Sequence, residues 1–392
     1  MMIASTRAAR VALLPLLAVL HGCVPSEDDP VEGPADVGRL VIVGGALDGG
    51  NAAVYEAILE AREGDGPVCV LPTASGEPRE SMERAVATLS QHGGAGVAKG
   101  VLLTTDVPHR AFEPPVATEL AACSGFFFTG GSQSRIVDVF LPAGDTTPAY
   151  RSLRRRWEEG AVVAGTSAGA AMMSRTMIAG GGSDEAVVRG VAAGPEDDGL
   201  DIRPGMGFLE PVVDQHFLAR GRIGRLLVAV SRAETPPVGF GIDENTALVV
   251  DGDAAFVVGA SGVVVVDGRS AEPKGRSGAS GLRVTLAGAG DEIDLASYQV
   301  RRGAGKESLA VGAEGVDPPG DPFAPWAFLH LIAGLAESPA TEVLVDVPGA
   351  TLRIVEDAGF SASALGLDGG VEGAPRGFSA GPFRMDLTPG DR

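Results

Sequence analysis

The apolar positions of this chain come in short unbroken blocks. Leu40-Val41-Ile42-Val43 runs into Gly44-Gly45, and similar blocks follow at Val68-Cys69-Val70-Leu71, Gly100-Val101-Leu102-Leu103, Gly125-Phe126-Phe127-Phe128 and Ala161-Val162-Val163-Ala164. Continuous rather than alternating hydrophobicity predicts strands buried on both faces. Between the blocks, residues 52–62, 79–92, a stretch through Ile136 and Phe140, and residues 151–159 carry helical spacing. Strand and helix in alternation predict an α/β fold, a mostly parallel sheet with helices on both faces. Functional loops of such a sheet gather at the carboxyl ends of its strands, where Gly130, Gly131, Gln133 and Ser167 fall.

The pattern breaks at both ends. Arg7 and Arg10 precede an apolar run, residues 11–20, that is too short for a permanent membrane span, so residues 1–22 are predicted to be an export signal. Leu20-His21-Gly22-Cys23 resembles a bacterial lipobox and marks Cys23 as the lipidation position. Residues 23–38 are rich in Pro, Asp and Glu and read as a flexible tether, giving a protein that is lipid-anchored to the envelope or secreted. The main domain is predicted over residues 39–300. Residues 301–392 read as a C-terminal extension, with a helix at 325–336, strands at 342–345 and 351–355, and a homodimer surface as one candidate role.

Charge narrows the partners. The chain has 31 Lys and Arg against 51 Asp and Glu, a net charge of −20. That excludes nucleic acid and anionic lipid surfaces as natural partners, leaving the lipid anchor as the one membrane connection. An acidic surface suits a cationic substrate, and solubility alone accounts for it equally well. Apart from Cys23 the cysteines are Cys69 and Cys123, each in or beside an apolar run; buried thiols and a disulfide both fit. No pattern of metal ligands or cofactor-binding residues stands out.

The chemistry concentrates at residues 161–174. An apolar block leads into Gly165-Thr166-Ser167-Ala168-Gly169, and an Ala/Met run that reads as the opening of a helix follows. A nucleophile elbow needs this strand, turn and helix, with small residues around a serine on a strained turn. The same five-residue pattern recurs at Gly377-Phe378-Ser379-Ala380-Gly381, where no apolar strand precedes it, and is read there as a surface turn without chemistry.

A serine nucleophile needs a base. His21 leaves with the signal, His92 sits at a helix end, His109 in a loop and His330 in an amphipathic helix. His216, inside Asp214-Gln215-His216-Phe217 and followed by Arg220, Arg222 and Arg225, is the base by elimination and context. Guanidinium groups pair with carboxylates through two hydrogen bonds, so the arginines suit a carboxylate-bearing substrate. Gly241-Ile242-Asp243-Glu244 offers two acids to orient the imidazole, and the residues alone leave Asp243 and Glu244 both open.

Four segments, Gly130-Gly131-Ser132-Gln133, the elbow, Asp214 to Arg225, and Gly241 to Glu244, together resemble the cyanophycinase family of serine peptidases, which also holds aspartyl dipeptidase. The resemblance runs from Leu40 to about Val250 and implies a fold similar to class I glutamine amidotransferases. It also implies exo-hydrolysis of cyanophycin, a poly-aspartate backbone carrying arginine on its side chains, to β-Asp-Arg dipeptides. Carried over by residue, it makes Ser167 the nucleophile, His216 the base and Glu244 the orienting acid. Gly131 and Ala168 would supply oxyanion amides, and Gln133, Asp214, Gln215, Arg220, Arg222 and Arg225 the substrate pocket. Ser132 departs from the Asn or Asp the family often has there. An aspartyl or isoaspartyl dipeptidase, and a non-catalytic lipid-anchored binding protein, are the rival readings.

Overall fold

The computed structural model describes residues 37–194, 197–366 and 368–390. The predicted signal, the lipidation position Cys23 and the tether up to residue 36 lie outside the described residues. The first half builds β1 (Leu40–Val43), β2 (Val68–Leu71), β3 (Ala98–Gly100), β4 (Gly125–Phe128) and β5 (Val162–Thr166). Between them run α1 (Ala52–Glu60), α2 (Pro78–Gly93), α3 (Pro114–Ala121), α4 (Gln133–Phe140) and α5 (Pro148–Glu158). The strands pair in parallel in the order β1-β5-β4-β2-β3.

Their unbroken hydrophobicity follows from coverage on both sides. Val41, Val43, Val68, Val70 and Phe127 pack with Val54, Ile58 and Leu89 of α1 and α2. Leu40, Ile42, Leu71, Phe126 and Phe128 face the opposite way, towards Leu120, Ile136, Leu153 and Trp157 of α3, α4 and α5. Burying each such side chain contributes about 1.5–3 kcal/mol. One predicted strand is displaced: β3 covers residues 98–100 instead of 100–103. Its last rung is Val101 N–H donating to Val70 O, after which Leu103 is buried as irregular chain, a run whose hydrophobicity serves the core alone.

The second half departs further from a mostly parallel sheet. After a single helical turn, α6 (Ala168–Ala171), come β6 (Thr176–Gly180), α7 (Ser183–Arg189), β7 (Asp201–Pro204), β8 (Val212–Gln215), α8 (Ile223–Val230) and β9 (Val238–Ile242). Next follow β10 (Thr246–Asp251), β11 (Ala254–Gly259), β12 (Gly262–Asp267), β13 (Glu272–Lys274), β14 (Gly278–Gly288), β15 (Glu292–Asp294), β16 (Val300–Arg301) and β17 (Glu307–Ser308). The chain ends with α9 (Ala327–Glu337), β18 (Glu342–Val347), β19 (Ala350–Ala364) and β20 (Ser379–Pro389). Strands β10, β11, β15 and β16 extend the first sheet beyond β1, all antiparallel. Short hairpin turns such as Gly252, at φ 56°, permit antiparallel neighbours without a crossover helix.

A second sheet, unforeseen from the sequence, has the order β17-β19-β20-β14-β12-β9-β8, with β13 on β14 and β18 on β19. Within it β8 and β9 are parallel and the other pairs antiparallel. Val263 and Val265 of β12 join the core of the first sheet, whereas Val264 and Val266 join a second core with α8 and α9. The tail is woven into this sheet: β20 pairs with both β14 and β19 and buries Phe383, Met385 and Leu387.

The second elbow-like pattern, expected to be a surface turn, is instead the buried start of a strand. Ser379 opens β20 fully buried; its hydroxyl donates to Asp291 Oδ2 (2.6 Å) and accepts from Lys306 Nζ (2.7 Å). Lys306 also pairs with Asp291 Oδ1 at 2.6 Å, so this serine ties a buried ion pair across the sheet. A turn-like composition hid a strand start because Gly377, at φ 63°, precedes it. The open question about the cysteines closes as a disulfide, Cys69 in β2 to Cys123 ahead of β4, with Cα atoms 5.9 Å apart.

Candidate active site

Strand β5 ends at Thr166, and Ser167 follows at φ 56° and ψ −113°, a conformation unusual for a side-chain-bearing residue and costly by about 1–3 kcal/mol. The turn is this tight because its glycines lack side chains. A Cβ at Gly165 would stand 2.3 Å from Gly169 O, and one at Gly169 would stand 2.5 Å from Phe128 O. The helix after the serine is shorter than the Ala/Met run suggests, one turn ending at Ala171, so local amides matter more than a long helix dipole. Ala168 heads that turn and its N–H has no partner four residues back. Gly131, at φ 143°, packs so closely on Ala74 O that a Cβ would fall 2.0 Å from it, and its amide reaches no backbone acceptor among the described residues.

His216 follows β8 of the second sheet, itself at φ 49°, with its N–H donating to Gly44 O of the first sheet at 2.6 Å. Its Nε2 lies 2.9 Å from Ser167 Oγ, and its Nδ1 lies 2.5 Å from Glu244 Oε1. Glu244 sits where the chain crosses from β9 to β10, that is, from the second sheet to the first. The adjacent Asp243 is fully buried and accepts from the Leu218 and Ala219 amides (3.0 Å each) and from Ser261 Oγ (2.7 Å). It clamps the turn behind the imidazole, so the two acids that the sequence left open have separate partners.

Two supporting positions escaped sequence reasoning. A Cβ on Gly45 would stand 2.2 Å from the His216 ring, so glycine here makes room for the imidazole; the glycine pair ending the β1 block was the available signal. Asn245, at φ 52°, accepts from Asn51 Nδ2 and the Asp48 amide, tying the crossover to the loop before α1. Nothing in its sequence context marks it.

Burial lowers the His216 pKa below the ordinary histidine range. The hydrogen bond that its Nδ1–H donates to Glu244 works against this, and the Arg220 and Arg222 charges add to the lowering. The ring is therefore neutral at neutral pH, the form a general base requires. Arg222, pushed down to about 10 by burial, stays charged there.

The predicted pocket residues divide. Burial alone would raise the Asp214 pKa, but Arg225, by charge and hydrogen bonds, and Arg222 hold it below the carboxylate range. Arg225 grips Asp214 with Nε (2.7 Å) and Nη2, and both side chains are buried, so they hold each other. Arg222 Nη1 donates to Gln215 O at 2.6 Å and lies 3.6 Å from Asp214. Gln133 is buried with Nε2 on Ile178 O, and Gln215 Oε1 lies 3.4 Å from Ser167 Oγ. Arg220 alone of the three arginines has an exposed side chain, with Nε 3.9 Å from Glu244 Oε1. No group of three metal-ligating side chains occurs among the described residues, and no helix among them is long and apolar enough to cross a membrane.

Comparison with known proteins gives the family. The model of peptidase family S51 matches residues 40–258. A cyanophycinase of Synechococcus elongatus is 33% identical over 267 residues, covering 66% of this chain and 78% of its own. That of Trichormus variabilis is 35% identical over 233 residues, covering 58% and 73%, and that of Geminocystis herdmanii is 32% identical over 279 residues, covering 67% and 96%. Among solved structures, a peptidase from an acI-B1 actinobacterium aligns with a TM-score of 0.48 at 22% identity, over 67% of this chain and 98% of that one. The α/β fold, the matched family and the array of serine, histidine and carboxylate define a peptidase of the serine type. The chain belongs to peptidase family S51.

Proposed function

We propose that this protein hydrolyses cyanophycin, or an oligomer of the same arginine-bearing aspartyl chemistry, to β-Asp-Arg dipeptides. Ser167 attacks the peptide carbonyl while His216 Nε2 takes its proton and Glu244 steadies the resulting imidazolium. The Gly131 and Ala168 amides hold the oxyanion, the amine leaves with the proton from His216, and water releases the acyl group by the reverse sequence. The observation that carries this reading is the chain of contacts from Ser167 Oγ to His216 (2.9 Å) and on to Glu244 (2.5 Å) in a member of this family. Relatives named cyanophycinase support the substrate. Arg220 is the exposed cation for substrate carboxylates, while Arg225, Arg222, Asp214, Gln133 and Gln215 form the framework behind it.

The parallel half of the first sheet supports a scaffold of the class I glutamine amidotransferase kind. Export, with Cys23 lipidated or the protein released, is supported by the disulfide, which persists in oxidising compartments. Digestion of cyanophycin with mass spectrometry of the products, beside isoaspartyl dipeptides as substrates and Ser167→Ala as control, tests the proposal. Dipeptide release by the wild type alone is expected, and release that persists in Ser167→Ala overturns the role of Ser167.

A further inference from the structure

Ser167 and His216 open on a cavity of about 350 Å³ whose far walls belong to elements outside the family-like pocket. Its lining includes Leu47 of the loop after β1, Tyr55 of α1 and Ser81, Arg84 and Thr88 of α2. Arg220, Arg222 and Arg225 are absent from this lining, so the nucleophile stands between two flanks of different composition. In acyl transfer the substrate straddles the nucleophile, and the departing amine must reach His216 Nε2, which delivers its proton. Ser167 and His216 both border the α1–α2 cavity, so an amine seated there is within reach of Nε2.

The chemistry of this wall is selective. Apart from His216, Arg84 is the one ionisable cation in the lining, and no Asp or Glu accompanies it there. Its contact with Glu80 is an exposed pair at 3.4 Å, four residues apart on α2, a weak bond that a ligand carboxylate replaces easily. The nearby Asp48 accepts from the Gly50 amide at 2.7 Å, capping its own turn, and borders a neighbouring hollow. Thr129 and Thr166, also in the lining, carry buried hydroxyls with no hydrogen-bond partner among the described residues, a cost of about 1–3 kcal/mol each. Tyr55, stacked on His92 with ring centroids 4.5 Å apart, supplies a rigid aromatic side wall.

We propose that the α1–α2 cavity is a leaving-group subsite and that Arg84 in it recognises the main-chain carboxylate of the departing aspartyl residue. This rests on the reading of Ser167 and His216 given above. The test uses two substrates, a short arginine-bearing aspartyl oligomer with a free main-chain carboxyl terminus and the same oligomer ending in an amide. The wild type should favour the free acid by about tenfold in kcat/KM, the scale of one charge-assisted hydrogen bond at a partly solvated site. Arg84→Gln should lose that preference, raising KM for the acid far more than for the amide, while Arg84→Lys keeps part of it. A preference that survives in Arg84→Gln, or a wild type indifferent to the terminus, overturns the assignment. Turnover of either oligomer by Ser167→Ala instead overturns the underlying mechanism, so the two failures are distinguishable.

Discussion

Substitution of Gly45 by alanine tests the catalytic geometry without touching a reacting group. The added Cβ would lie 2.2 Å from His216 Cε1, 2.4 Å from Nε2 and 2.7 Å from Nδ1. Ordinary contacts between such atoms are about 3.5–4.0 Å, so the ring must retreat by roughly 1 Å or more. The retreat stretches a 2.9 Å contact with Ser167 out of hydrogen-bonding range. Misplacement on that scale costs about 100-fold in rate, equivalent to about 2.7 kcal/mol of barrier. Alanine at φ 116° adds strain of about 1–3 kcal/mol, which falls on stability and separates from the kinetic effect in a thermal melt. The assay is kcat/KM on the arginine-bearing aspartyl polymer, with the rate of Ser167 labelling by a fluorophosphonate as a substrate-independent readout. Both should fall together in a protein that still melts cooperatively. A folded Gly45→Ala protein within threefold of wild type on either measure would refute the role given to the imidazole.

Other predictions follow from the same contacts. Because burial and then the neighbouring arginines depress the His216 pKa, kcat/KM should rise with pH to a plateau, with its midpoint below the ordinary 6.5; Arg220→Gln removes one depressing charge and should move that midpoint upward, and an unmoved or lowered midpoint argues against the coupling. Replacing Cys69 and Cys123 together by alanine frees a 54-residue loop and should cost about 4 kcal/mol in urea unfolding, with turnover per folded molecule intact. Lys306→Met leaves the fully buried Asp291 short of its closest cation and should destabilise the protein by about 3 kcal/mol, while the Ser167 labelling rate stays constant.

The parallel half of the fold was legible because its strands are buried on both faces and its helices are long enough to show their period. The second sheet was hidden for a physical reason. Strand β12 reads as an unbroken Val263-Val264-Val265-Val266 run because it is clamped between two cores, so it carries no alternation to distinguish it from a parallel strand. Strand β20 was hidden by the opposite effect, since glycine, proline and charged residues dilute its pattern and pairing on both edges holds it in place. At the site, Ser167 and His216 stood out through the strained turn and the polar cluster around them. Asp243 and Glu244 did not separate, because which of two adjacent acids meets an imidazole depends on where the chain turns between sheets.

That crossing explains how the site is assembled. Ser167 is delivered by the first sheet and His216 by the second, and Glu244 occupies the strand-to-strand passage joining them. The seam is fastened by backbone: Gly44 O accepts from the His216 amide at 2.6 Å, Gly45 O from the Asn245 amide at 2.8 Å, and Gly44 N–H donates to Thr246 O at 2.9 Å. Main-chain bonds fix position more tightly than mobile side chains do, and a triad held this way needs both sheets intact. Loosening the second sheet therefore separates His216 from Ser167, which couples the proposed catalysis to the packing of β9, β12, β14 and β20 even though none of their side chains is given a part in the chemistry.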